Sequence, residues 1–191
     1  MNDKQKLLIK KYKYYLMHGT TLKNLRSILK SGYIVLGNNI NVIENQFGNK
    51  NNVIYMSIYF EKIKNIKKTF YFELLLHPKI LFDHDISFNG GWGFSRNIVN
   101  IKKNDNDNII SNKIKKIYEY VKNPDLPKQL KGVGIFEHEL IFKKKINIKK
   151  YLIGIICDKK SAKSIKNLLD NANINVPIFF ENDAPSFNNI M

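Results

Sequence analysis

The 191-residue sequence predicts an α+β fold. Short apolar or aromatic runs of strand length recur along the chain, while helical periodicity appears in only three or four stretches. The two kinds of element do not alternate regularly, as a doubly wound sheet would require. One domain spanning residues 1–191 accounts for the length, and 43% apolar residues are enough to bury a core.

The first strand is expected from Tyr12 to Met17, with His18, Gly19 and Thr20 forming the turn that ends it. From Thr21 to Ser31, Leu22, Leu25, Ile28 and Leu29 recur at spacings of three and four and define one helical face. Thr20 or Thr21 can cap its start, and Gly32 stands where a left-handed C-terminal cap is needed. The Asn- and Gly-rich residues 37–52 are too polar for a core element and read as a loop. Val53 to Tyr59 (VIYMSIY) is a second strand, Glu61 to Lys67 a short Lys-rich helix, and Thr69 to Leu76 a third strand closed by His77-Pro78.

Residues 88–97 (FNGGWGFSRN) read as a loop whose three glycines and two aromatics suit close packing or a ligand edge. After the polar break NDNDN, a helix is expected from Ser111 to Val121. Ile135 to Phe142 (IFEHELIF) and Tyr151 to Asp158 are further strands, followed by a helix from Asp158 or Ser161 to Leu169 and a last strand over Val176 to Phe180. No internal repeat or linker is evident.

Charge and cysteine usage bound the function. The balance of 32 Lys and Arg against 16 Asp and Glu gives a formal charge of +16, which favours polyanionic partners. Composition offers a second cause. Of the 32 basic residues 30 are Lys, Asn occurs 26 times and Ala only 3 times, as in a very AT-rich genome such as that of a large DNA virus, a parasite or a low-GC bacterium. Only Arg26 and Arg96 offer the planar fork that grips phosphate with two bonds. Cys157 is the only cysteine, which excludes an intramolecular disulfide, and its place in YLIGIIC suggests a buried strand thiol. Lys interrupts every apolar stretch of the first 16 residues, so no signal peptide is expected. No apolar run approaches a membrane span. An intracellular protein without membrane contact is the expectation.

Three pieces place polar residues within or beside apolar strands: His18-Gly19-Thr20, Tyr55-Met56-Ser57 and Glu137-His138-Glu139. A carboxylate in an apolar strand is costly to bury without partners, so Glu139 is expected to face a cleft. Glu137 shares its face, roughly 7 Å away along the strand, and His138 points the other way. Asp83-His84-Asp85 has metal-ligand residue types, but successive strand residues point to opposite faces and no second cluster accompanies it, so no metal is expected. Trp92 and Arg96 can touch a base or phosphate, or simply pack.

Taken together, YYLMHGTTLKNLRSILKSGYI resembles the first signature of the ADP-ribosyltransferase superfamily, VIYMS its second, and FEHELIF followed by YLIGIIC its third. The resemblance covers about a third of the chain. It implies a split, mostly antiparallel sheet with flanking helices. The reaction it implies is mono-ADP-ribosylation, with NAD+ as co-substrate: the bond from nicotinamide to ribose breaks and ADP-ribose passes to a protein or nucleic-acid acceptor. The implied transition state is oxocarbenium-like, stabilised by the carboxylate of Glu139. By the same resemblance His18 bonds the adenosine ribose, the Gly19 backbone holds the carboxamide, Thr20 completes the motif, Tyr55 borders the nicotinamide and Ser57 supports Glu139. Glu137 orients the acceptor, and residues 123–134 form the acceptor-selecting loop. A monomer suffices.

An RNA 2'-phosphotransferase of the same superfamily is a rival reading, although that branch relies on Arg and His residues and this chain has two arginines. A catalytically silent, basic nucleic-acid-binding module is another.

Overall fold

The architecture is built around a strand that is buried on both sides. In the computed structural model, which describes residues 1–36, 53–63, 72–90, 96–122, 138–180 and 185–190, strand β1 (Tyr14–Thr20) carries Tyr14, Tyr15, Leu16 and Met17, each at most 5% exposed. Residues of this size on both faces require a covered sheet. On one side β1 pairs antiparallel with β3 (Ile54–Phe60), and on the other with β4 (Phe72–Leu76).

The sheet grows outward from this centre. Strand β7 (His138–Phe142) pairs with β3, and the hairpin of β5 (Ile86–Gly90) and β6 (Arg96–Ile101) pairs with β7 through β5. On the far side β9 (Leu152–Cys157) pairs with β4, and β10 (Ile178–Phe180) lies parallel to β9. The order is β10-β9-β4-β1-β3-β7-β5-β6, and among the described strands the β9/β10 pair is the parallel one. A separate two-stranded ladder joins β2 (Tyr33–Ile34) to β8 (Ile146–Asn147). The fold is α+β with a mostly antiparallel, open sheet.

Period-two alternation sorts the strands into two faces. Tyr14, Leu16, Ile54, Met56, Ile58, Phe88, Leu140 and Phe142 belong to the main core. Helices α1 (Asp3–Tyr12), α2 (Leu22–Ser31), α4 (Asp107–Lys122) and α6 (Ala162–Asn171) add Leu8, Ile9, Leu25, Ile28, Ile114, Ile117, Ile165 and Leu169 to it. Three one-turn helices, α3 (Ile80–Asp83), α5 (Ile148–Tyr151) and α7 (Phe187–Ile190), complete the described elements. The opposite face carries a second cluster of Tyr15, Met17, Tyr59, Leu75 and Ile156. The C-terminal segment is tied beside it, since the Tyr15 hydroxyl donates to the Pro185 carbonyl at 3.3 Å and the Phe187 amide donates to Glu61 at 2.8 Å.

Local chemistry explains the α2 boundaries. The Thr21 hydroxyl accepts from the Asn24 amide, and Gly32, at φ 77°, closes the helix in the left-handed conformation expected from the sequence. Cys157 is buried, as expected.

Several boundaries differ from the sequence expectation. Tyr12 ends a helix rather than opening a strand, because Leu8, Ile9 and Tyr12 share a face and Asn2 with Gln5 forms a capping box. His18, Gly19 and Thr20 are strand residues, not a turn, since the β1/β4 ladder continues through Thr20↔Phe72 and outweighs the local preference of Gly19. Residues 88–90 and 96–97 belong to the β5/β6 hairpin rather than to a loop. The third helix begins at Asp107, inside the NDNDN break, and the Asp107 carboxylate accepts from Asn2 and Gln5 of α1. Tyr151 ends α5, and β9 starts one residue later. Residues 61–63 form a turn, and the rest of the helix expected there lies outside the described residues.

One tight contact tests the packing of the second face. A Cβ added at Gly154 in β9 would meet Phe179 Cε2 at 2.7 Å and Leu75 Cδ1 at 3.3 Å. Gly154→Ala is therefore expected to destabilise the protein by about 1–3 kcal/mol through overpacking. Urea unfolding followed by circular dichroism measures this; an unchanged midpoint would show that Phe179 yields at no cost.

Candidate functional site

The face with the second apolar cluster is not apolar throughout. Across β1, β3, β7 and β5 the register places Met17 opposite Ser57, Ser57 opposite Glu139, and Glu139 opposite Asn89. Directly opposed residues share a face, with Cα atoms about 4.5–5.5 Å apart. One row along, Tyr55, Ile141 and Ser87 are likewise in register. Tyr55, Ser57, Ser87, Asn89, Glu139 and Ile141 are all half-buried, whereas their strand neighbours on the helix-covered face are buried. Met17 thus marks a border, with tyrosines and aliphatic side chains on one side and a half-open polar patch on the other.

His18 follows Met17 and alternates in β1 with Leu16 and Thr20, so it starts from the side of the strand opposite Met17 and this patch. The β1/β3 register runs from Tyr14↔Phe60 to Met17↔Ser57, one residue short of it. Beyond that point the His18 imidazole meets the Tyr55 carbonyl, with Nδ1 2.9 Å from the oxygen. A carbonyl only accepts, so Nδ1 carries the proton and Nε2 of the neutral ring is left as an acceptor. A main-chain carbonyl points along the sheet toward its neighbour strand, so this bond draws the ring into the gap between β1 and β3. Burial holds the imidazole pKa below its ordinary 6.5, against the opposing pull of the Tyr55 bond, and the ring is neutral at pH 7.

The structure therefore brings Tyr55, Ser57 and Glu139 onto one face and places His18 beside the Tyr55 main chain. Thr20 is buried. It alternates in β1 with Leu16 of the helix-covered core, away from Glu139. Gly19 lies directly opposite Glu73 of β4. Glu73, at 3% exposure, is a buried charged residue that sequence reasoning did not single out, although the pattern that drew attention to Glu139, a carboxylate inside an apolar strand, is equally present in FELLL. Its charge reaches the Tyr15 hydroxyl, which burial first, then Tyr59, Glu73 and Glu61, push well above the usual phenol range. Asn89 was also missed, being read as part of a loop. Glu137, Trp92 and residues 123–134 lie outside the described residues.

Asp83, a residue of metal-ligand type, instead joins α3 to α5. Its carboxylate accepts from the Tyr151 hydroxyl at 2.7 Å and from Lys150 Nζ at 2.8 Å, with Lys79 Nζ at 3.9 Å. Among the described residues no group of three or more His, Cys, Asp or Glu side chains is placed to hold a metal ion. No described helix is long and apolar enough to cross a membrane.

Fold and patch together define an α+β protein whose central sheet leaves one polar, carboxylate-bearing stretch half-open. The chain belongs to DUF5846, a family of unknown function whose model matches residues 11–124, a stretch that contains His18, Tyr55 and Ser57 and ends before β7. It is 33% identical over 201 residues to Uncharacterized protein R11 of Acanthamoeba polyphaga mimivirus, covering 94% of this chain and 75% of that protein.

The buried imidazole makes stability depend on pH. Its folded-state pKa lies below that of the unfolded chain, so between the two values only the unfolded chain binds the proton. The contribution is complete above about 6.5 and is lost as pH falls toward the folded-state value. The urea midpoint should fall from about pH 7.5 to about pH 5.5 in the wild type, and fall less in His18→Asn, whose amide can still donate to Tyr55. An equal fall in both would assign the effect to His77 and His84, whose pKa values burial also lowers.

Proposed function

We propose that this chain is an NAD+-dependent mono-ADP-ribosyltransferase that passes ADP-ribose to a protein or nucleic-acid acceptor inside a cell. The observation that carries the reading is the direct register of Ser57 with Glu139 on a half-open sheet face, with the His18 imidazole held by the main-chain carbonyl of Tyr55, two residues before Ser57. It rests also on the resemblance of the HGT, YMS and ExE segments to the signatures of that superfamily.

In this reading the C–N bond between nicotinamide and ribose breaks, the electron pair leaves with neutral nicotinamide, and positive charge develops on the ribose. A carboxylate held by neighbouring strands is already oriented toward that charge, which is the condition for electrostatic stabilisation without reorganisation. Glu139 fills this role and holds a ribose hydroxyl, with Ser57 beside it. The acceptor then attacks the anomeric carbon and loses a proton. His18 Nε2 accepts from a hydroxyl of the adenosine ribose, a bond that protonation of the ring abolishes. Gly19 presents main chain without a side chain, so a flat carboxamide can approach it closely. Tyr55 supplies an aromatic border to the cationic pyridinium ring. Glu137 orients the acceptor in the same scheme.

The test is release of nicotinamide from NAD+ by the purified protein, alone and with RNA, DNA or cell lysate. Wild-type turnover is expected, with a loss of about 10²–10³-fold in Glu139→Gln and NAD+ binding retained. The additive that accelerates turnover names the acceptor class. Absence of turnover under every addition, with no NAD+ binding by calorimetry, would overturn the proposal and leave a basic binding domain.

A further inference from the structure

Away from the polar patch, the register gathers lysines at one end of the sheet. Ile86, Ile101 and Phe142 are in register at the start of β5, the end of β6 and the end of β7. Residues 83–85, Lys102 and Lys103, and Lys143, Lys144 and Lys145 therefore emerge side by side. Electrostatics agrees with this placement: Lys144 acts on both His84 and Asp85, Lys103 on His84, and Lys102 on Asp85. The rim continues through the β2/β8 ladder, where Lys145 Nζ lies 4.5 Å above the Tyr33 ring. Lys149 follows Ile148, whose amide bonds the Gly32 carbonyl. All six lysines are exposed.

The acidic residues at this end are largely committed. Asp83 holds Lys150 and Lys79, and Asp105 holds Lys113. Asp85 accepts from the Lys103 amide. Among the described residues, Lys102, Lys103, Lys143, Lys144, Lys145 and Lys149 form no ion pair with a carboxylate, so the charge gathered at this rim is not cancelled locally. We propose that this lysine rim is a binding surface for the phosphodiester backbone of a nucleic acid. Flexible ammonium groups without arginine forks suit sequence-independent contact with successive phosphates, and binding gains from counterion release. The proposal stands apart from the NAD+ reading, because it requires neither the co-substrate nor Glu139.

A mere consequence of net charge is the rival explanation, and an equal-charge control separates the two. In one variant Lys143, Lys144 and Lys145 are replaced by Gln; in the other Lys159, Lys160 and Lys163, exposed at the start of α6, are replaced in the same way. Affinity for a single-stranded RNA, a single-stranded DNA and a DNA duplex is measured by fluorescence anisotropy across a salt series, with thermal melts to establish that both variants fold. The rim variant is expected to bind on the order of tenfold more weakly, with the slope of log affinity against log salt reduced by about 2–3, while the control stays near wild type. The preferred nucleic acid is read from the three probes. Equal weakening in both variants, or wild-type binding to vesicles of anionic phospholipid that matches the best nucleic acid, would overturn the proposal.

Discussion

Burial of β1 on both faces is the constraint on which the remaining structure depends. Tyr14 and Leu16 require the helices on one side, and Tyr15 and Met17 require a cover on the other. The second cover is local: Tyr59, Leu75 and Ile156 surround Tyr15 and Met17, and the Pro185 and Phe187 main chains are hydrogen-bonded alongside. Past Met17 the same face turns polar. The half-open patch at Ser57 and Glu139 is therefore the continuation of a buried face where its apolar side chains end, so the strands that carry those groups are anchored in the core.

Much of this was legible in the sequence, for identifiable reasons. The α2 helix announced itself through the spacing of Leu22, Leu25, Ile28 and Leu29 and through both caps. Strands β3 and β4 were legible because VIYMS and FELLL are compact apolar runs, and alternation alone put Tyr55 and Ser57 on one face of β3, while the register that sets Glu139 opposite Ser57 is a property of the sheet. What escaped was set by partners distant in sequence. Gly19 looks like a strand end until Phe72 is seen to extend the ladder past it. The β5/β6 hairpin escaped because its glycines resemble a loop, and α1 because lysines obscure the face formed by Leu8, Ile9 and Tyr12. The His18 contact with Tyr55 belongs to the gap between two strands, and no local pattern encodes it.

Acidic residues are few, and the described structure uses several of them as joints. Asp83 connects α3 to α5, Asp107 connects α4 to the start of α1, and Glu61 connects Lys13 to the backbone of α7. Each carboxylate has its pKa held below the usual range, Asp107 by the Gln5 and Asn2 bonds foremost, and Asp83 and Glu61 by bonds that outweigh their desolvation. Lysines, by contrast, mostly remain at the surface. The charge excess is thus free to differ from one region of the surface to another without disturbing the core.

The order of strands in the sheet has a consequence for biosynthesis. Strands β1, β3 and β4 are complete by residue 76, but their outer partners β7 and β9 begin only at residues 138 and 152. At about 5–20 residues per second, a chain emerging from the ribosome holds a three-stranded sheet with two open edges for several seconds. Nascent β3 and β4 would then expose unpaired amides and carbonyls beside apolar side chains, the condition under which neighbouring chains add strands to one another. High-level expression is for this reason a contest between translation of the second half of the chain and self-association of the first, and slower synthesis or a ribosome-associated chaperone shifts its outcome.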